Sequence, residues 1–472
     1  MNYRTISTRC LTLAISALLL LVALTWLYGP GWADATSQAA IELTVRVSVA
    51  GDGTQADTET NEAPALSADG RYVAFDSLAT NLVPGDTNDE YDIFVHDRQT
   101  GATERLSLTS DGVQRRGISW APVISDDGRF VAFASNAELV GGLYSDGWHV
   151  YVRDRQTGQT TRATVASDGT VGNGASINRP AISADGRFVA YASESSNLIA
   201  ADTNNAVDAF VHDRYTGQTT RVSVASDGAE ANGWSESPAL SADGRYVVFA
   251  SDASNLVTGD NNNRRDIFLH DRQTGATTLL SVRLAGASWS EDAHIPDISA
   301  DGRWVAFTSP ANDLVPGDSG EGDDIFMVNT STGALSLVSV NSNGEKGNDD
   351  SDRLALSADG RLIAFYSQAS NLVPDDTNDR GDIFVHDRES GRTWRASLGN
   401  SGQQGNGGSF TVGISADGHA VGFASFASNF VPGDTNEVSD IFVRYSLGGE
   451  ISAYLPVVQG GVTVGRLRVS QD

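Results

Sequence analysis

Apolar residues fall along this chain in short bursts separated by polar, turn-forming stretches. One burst, inside Ser67-Ala68-Asp69-Gly70-Arg71-Tyr72-Val73-Ala74-Phe75, returns six more times, starting at Ser125, Ser183, Ser241, Ser299, Ser357 and Ser415. Each start lies 58 residues after the one before, without a slip. The pattern within a unit predicts four strands. In the first copy they are residues 63–66, 71–75, 92–96 and 104–108. The first pair is joined by Asp69-Gly70, which tolerates the positive φ of a two-residue hairpin. A long polar loop leads to the third strand, and Gln99-Thr100-Gly101 turns the chain into the fourth.

The second strand is apolar on both faces, with Tyr72 and Ala74 on one and Val73 and Phe75 on the other. A sheet with one wet face would alternate. These sheets must therefore be covered on both sides, as happens when blades stack around an axis. The place of Ala74 is taken by Ala132, Ala190, Val248, Ala306, Ala364 and Gly422, all small enough for close blade contact. Rungs of a β-solenoid, the competing architecture, are usually shorter. The expectation is an all-β, seven-bladed β-propeller with four antiparallel strands per blade.

Residues 43–49 match a fourth strand yet precede the first complete unit, and the seventh unit ends at a third strand, 441–444. The N-terminal strand is thus expected to complete the last blade and remove its open edge, with 450–458 as its rival. The expected boundaries are 1–35 for a signal peptide, 36–446 for the propeller and 447–472 for a C-terminal tail or extra strand.

The leader is read from Arg4 and Arg9, an apolar run over 11–27, and Ala33-Asp34-Ala35 as the cleavage site. An uncleaved anchor is the alternative, because the run is long. Cys10 is the single cysteine, so disulfides do not hold the expected mature fold. A net charge of −28 disfavours nucleic acid and anionic membrane surfaces, which bind through neutralised phosphate. It fits a soluble, secreted or cell-surface monomer with no membrane span after cleavage, and a ligand that is an extracellular protein or a carbohydrate.

The unit resembles the WD40-like repeats called PD40, found in TolB-type propellers. The residues that carry the resemblance are Ser67-Ala68-Asp69-Gly70, Phe75-Asp76-Ser77, Asp92-Ile93-Phe94-Val95 and Thr100-Gly101. All seven units share it. The resemblance implies the propeller fold, but such propellers serve as binding platforms, peptidase accessory domains and occasionally lyases. The separate N-terminal α/β domain of TolB proper has no counterpart in this sequence.

The loop before the third strand carries the candidate metal ligands. Asp86, Asn88 and Asp92 recur as Asp202/Asn204/Asp208, Asp260/Asn262/Asp266, Asp376/Asn378/Asp382 and Asp434/Asn436/Asp440. Unit five keeps Asp318 and Asp324, and unit two has Leu143 and His149 instead. Such oxygen-rich spacing suits Ca2+, while the plainer account is Asp and Asn bonding their own turns. His96, His212, His270 and His386 recur in four blades and are expected to bond within each blade, since an active site needs one asymmetric cluster. Asp97 and Arg98 are expected to be an ion pair at the blade margin.

Gly317-Asp318-Ser319-Gly320 spells a serine-peptidase motif by coincidence. Trp120, Trp234 and Trp289, irregular in the repeat, are the candidate ligand contacts. No residue is assigned a catalytic role, and the expected function is a binding or scaffold module that is not an enzyme. The alternative is a polysaccharide lyase or hydrolase with its site at the axis, for which His294, Lys346 and His419 are the places to look because they break the repeat.

Overall fold

The computed structural model describes residues 41–61, 63–141, 147–200, 202–281, 292–312, 314–316, 318, 322–447, 455–459 and 462–467. Seven four-stranded sheets form, one for each 58-residue unit. Blade 1 consists of Ala65–Leu66, Tyr72–Ser77, Asp92–Asp97 and Ala102–Arg105, paired in that order. The other complete units repeat this antiparallel order. In each blade two rings meet across the second and third strands, such as Phe75 with Phe94 and Phe249 with Phe268, both at 5.9 Å.

The two-sided apolar strands do what their pattern requires. Each of seven hydrophobic clusters joins two neighbouring blades, and the one holding Val73 and Phe75 also holds Ala424 and Val443 of blade 7. The ring is therefore closed by packing. It is also closed by backbone hydrogen bonds between successive Asp-Gly turns. Ala68 N donates to Asp126 O, Asp126 to Ala184, Ala184 to Ala242, Ala242 to Ala300, Ala300 to Ala358 and Ala358 to Ala416. Asp417 N then returns to Ala68 O at 3.1 Å.

Blade 7 is completed by Ile41–Arg46, which pairs with Asp440–Leu447 as the N-terminal strand was expected to do. Val47 N extends the pairing to Ile441 O at 2.8 Å. The rival segment does not take that place, since Leu455–Gln459 pairs with Val462–Leu467. The proposed leader lies outside the described residues.

The innermost strands are irregular in a regular way. Their register shifts between Trp120 and Val123, Glu236 and Ala239, His294 and Asp297, and Asp352 and Ala355. At each bulge one residue turns left-handed, namely Ala121, Ser237, Ile295 and Arg353, with φ between 50° and 53°. Asn178 does the same in blade 3. Such bulges re-aim side chains. The first-strand starts lie beside the residues that precede the third strands, as when Ser119 N donates to Tyr91 O. The bulges and the acidic loops thus share one face of the ring, and the Asp-Gly turns form the other.

Candidate functional site at the channel mouth

The acidic loops meet built-in cations. Arg105 Nη1 lies 2.9 Å from Asp86 Oδ1 and 3.5 Å from Asp92 Oδ2. Arg395 stands 2.9 Å from Asp376 and 3.3 Å from Asp382, and Arg46 stands 3.2 Å from Asp434 and 3.3 Å from Asp440. In blade 5, Lys346 reaches Asp318 at 2.8 Å and Asp324 at 2.6 Å. Asp202, Asp208 and Glu230 offer carboxylate oxygens within 4.8 Å of one another, the spacing of a metal site, yet Arg221 Nη1 sits against all three. Asn88 donates to Arg115 O, Asn204 and Asn378 donate to Asp208 and Asp382, and Asn436 donates to Asp440. Burial pushes Asp92 up to about 6, with Asp86 adding to the rise and Arg105 opposing it. Only the blade 4 loop has no Lys or Arg partner among the described residues.

The repeated histidines bond inside their blades. His96, His212, His270 and His386 each place Nδ1 2.9 Å from a threonine hydroxyl on the fourth strand. Thr219 Oγ1 donates its own proton to Val165 O, so Nδ1–H of His212 is the donor. Burial lowers these histidines, His96 to about 4. The expected Asp97–Arg98 pair is not formed. Successive strand residues point to opposite faces, so Asp97 takes Arg71 in a two-pronged contact at 2.9 and 2.7 Å. Arg98 crosses to the next blade, where it lies 4.5 Å from the Tyr445 ring centre.

A cavity of about 520 Å³ runs along the axis, walled by the first strands of all seven blades. At its bulged end the repeat stops repeating. At the 58-residue spacing the positions matching Trp120 are Glu62, Asn178, Glu236, His294, Asp352 and Phe410, and the next ones are Ala63, Ala121, Arg179, Ser237, Ile295, Arg353 and Thr411. The residues before the third strands vary as widely, with Tyr91, Trp148, Val207, Arg265, Asp323, Gly381 and Ser439.

Chemistry is sorted around this rim. Blades 7, 1 and 2 supply aromatic rings. Phe410 stacks on Phe426 at 5.3 Å, and Phe426 is 56% exposed. Trp120 meets Trp148 edge-on at 5.8 Å, and the buried Nε1 of Trp120 has no hydrogen-bond partner.

Blades 4 to 6 supply ionisable groups. Glu236 accepts from Asn178 at 3.2 Å and pairs with Arg265, which also holds Asp252. His294 Nε2 lies 3.8 Å from Asp323 Oδ2, and Arg353 Nε lies 3.6 Å from Asp352. Burial raises both Asp323 and Asp352, with the nearby Asp350 adding to each rise. Deeper in the channel, burial also raises Asp297, which accepts from Leu356 N and Ile298 N. Ile295 is a β-branched residue at positive φ, a strained conformation. Raised carboxylates gathered in one cleft make this rim the candidate site.

Of the three candidate tryptophans, Trp120 lies within Ser119–Ile124 and lines the channel. Trp234 precedes Ser235–Leu240 and is 48% exposed. Trp289 lies outside the described residues, as do most of the serine-peptidase motif's residues. Reading the repeat for sameness missed Trp148, Phe410, Phe426, Asp323, Asp352 and Arg353. Their signal is difference, since positions that vary between otherwise matching units are free to serve a ligand. The arginines against the acidic loops were also missed. They end the fourth strands of blades 1, 3, 6 and 7, which all carry the full Asp pair.

No protein-family model matches the chain, and no curated protein matches it. Solved structures do. An oligogalacturonate lyase in complex with manganese superposes with a TM-score of 0.52 at 12% identity, covering 86% of this chain and 96% of the lyase. The β-propeller domain of the Trilobed protease from Pyrococcus furiosus, described as having an open velcro topology, gives 0.50 at 10% identity over 83% and 98%. TolB from Acinetobacter baumannii gives 0.38 at 17% identity, and the chain covers 64% of its own length and 58% of that TolB. These likenesses concern the fold. They nevertheless correct the expectation that the chain is not an enzyme, because this architecture is shared with a lyase. That expectation leaned on the repetition of the histidines. A cluster that no other part of the repeat copies is formed at the rim by His294, Asp323, Asp352 and Arg353.

Proposed function

We propose that the protein is an extracytoplasmic propeller that binds a neutral oligosaccharide across the bulged mouth of its axial channel. The carrying observation is the division of that rim into an aromatic arc and an ionisable arc. Pyranose rings present apolar C–H faces to aromatic side chains and hydroxyls to carboxylates, so one ligand class uses both arcs. The cavity also falls within the usual size of small-ligand sites. Carboxylates on the ionisable arc, Glu236, Asp252, Asp323, Asp350 and Asp352, outnumber Arg265 and Arg353, and the chain's net charge is −28. A polyuronate is repelled by this field, so the neighbouring lyase's oligogalacturonate is not transferred to this protein. Export rests on the leader expected over 1–35.

Calorimetric titration of a panel of neutral, uronate and amino-bearing oligosaccharides tests the reading. Binding confined to neutral members supports it, and binding of none overturns it. A second reading, cleavage of the same chain, is favoured by one observation. Asp352 and Asp323 keep their protons to higher pH than ordinary aspartates beside His294, as a general acid must. Release of reducing ends, abolished by Asp352→Asn with binding retained, is the result that reading requires.

A further inference from the structure

Among the described residues, the blade 4 loop differs from its sisters by one missing charge. The arginine that ends the fourth strand in blades 1, 3, 6 and 7, namely Arg105, Arg221, Arg395 and Arg46, is replaced by Leu279, as it is by Leu337 in blade 5, where Lys346 supplies the charge. Asp260 and Asp266 remain, 8% and 0% exposed. Asp266 Oδ1 accepts from Ser281 at 2.6 Å and its Oδ2 accepts from Asn262 at 2.9 Å. Asp260 Oδ1 is buried with no hydrogen-bond partner. A buried, unpartnered carboxylate oxygen beside a second buried carboxylate is costly unless a cation joins them. The homologous pockets of five other blades each hold one, a guanidinium or, from Lys346, an ammonium.

We propose that blade 4 binds one divalent cation, calcium in class, between Asp260 and Asp266 where the other blades place an arginine or lysine. The donors are hard oxygens, which calcium takes in flexible geometry and softer metals do not prefer. In blade 1, Arg105 also donates to the Gly85 carbonyl at 3.3 Å, and the matching Gly259 carbonyl is a further oxygen for the ion. Water completes the shell. Affinity belongs to the extracellular range of ~10⁻⁴–10⁻³ M.

Leu279→Arg is the decisive variant, because it restores to blade 4 the residue its sister blades use. Calorimetry of the full chain with CaCl2 should give one site per chain in the wild type and none in Leu279→Arg. Circular dichroism should show the same β signature for both. Asp260→Asn serves if Leu279→Arg does not fold, and it too should lose the site. Absence of calcium binding by the wild type overturns the proposal. So does binding by Leu279→Arg at wild-type stoichiometry, or a wild-type count near five, which would place calcium in the loops that carry their own cation.

Discussion

Replacing Arg105 by leucine turns the blade 1 loop into a copy of the blade 4 loop. The guanidinium stands 2.9 Å from one carboxylate oxygen and 3.5 Å from the other. At an effective dielectric near 20, the two attractions are about 6 and about 5 kcal/mol before desolvation. Desolvation of the buried ions cancels much of this, and removing one partner of a buried pair costs about 3–5 kcal/mol net. The loss must depend on pH. Asp92 is held at about 6, above the ordinary 3.8, even with Arg105 pulling it down. A raised carboxylate means that the folded chain holds a proton the unfolded chain releases. Its contribution is therefore present below about 4 and lost as pH climbs through 6. Without Arg105 the rise is steeper, so the deficit should reach about 3–5 kcal/mol at pH 8 and be smaller at pH 4.5, where only the contact to Asp86 is lost. Urea unfolding followed by circular dichroism at both pH values measures this. Adding Asp92→Asn should recover most of the loss. A deficit below about 1 kcal/mol at pH 8, or an equal deficit at both pH values, would refute the reasoning.

Two further outcomes follow from the packing. His96 and His149, lowered by burial to about 4, contribute stability that is present above about 6.5 and lost as pH falls toward 4. Their NMR resonances should show no titration above about pH 5, and midpoints near 6.5 would contradict the neutral buried state. Gly413 has no room for a side chain, since a Cβ there would lie 2.1 Å from the Pro64 carbonyl oxygen at the junction of blades 7 and 1. Gly413→Ala should cost about 1–3 kcal/mol in thermal unfolding, and an unchanged melting temperature would mean a looser junction.

What the sequence disclosed and what it hid have a common physical origin. Stacking requires the same small or apolar residue at the same place in every blade, so Ala74, Val73 and Phe75 and their copies announce the ring by repetition. Ligand contacts obey no such rule. Trp120, His294, Asp352 and Phe410 occupy matching positions but change from blade to blade; Trp120 and His294 stood out as breaks in the repeat, whereas Asp352 and Phe410 did not. The acidic loops were legible as clusters of oxygen donors. Their partners were not, because Arg105 and Asp86 meet only when the fourth strand folds back beside the loop. Asp97 and Arg98 misled in the opposite sense, adjacent in sequence but on opposite faces of one strand.

The rim account is tested most directly by comparing one side chain on each face of the ring. Trp120 lines the bulged mouth, whereas Tyr215, 67% exposed in the turn after the third strand of blade 3, lies on the opposite face. Titrating a binding oligosaccharide into Trp120→Ala and Tyr215→Ala should show affinity reduced about tenfold or more in the first, as expected for a lost contact of about 1.4 kcal/mol. The second should match the wild type. Unchanged affinity in Trp120→Ala, or an equal loss in Tyr215→Ala, would contradict a ligand seated at the bulged mouth.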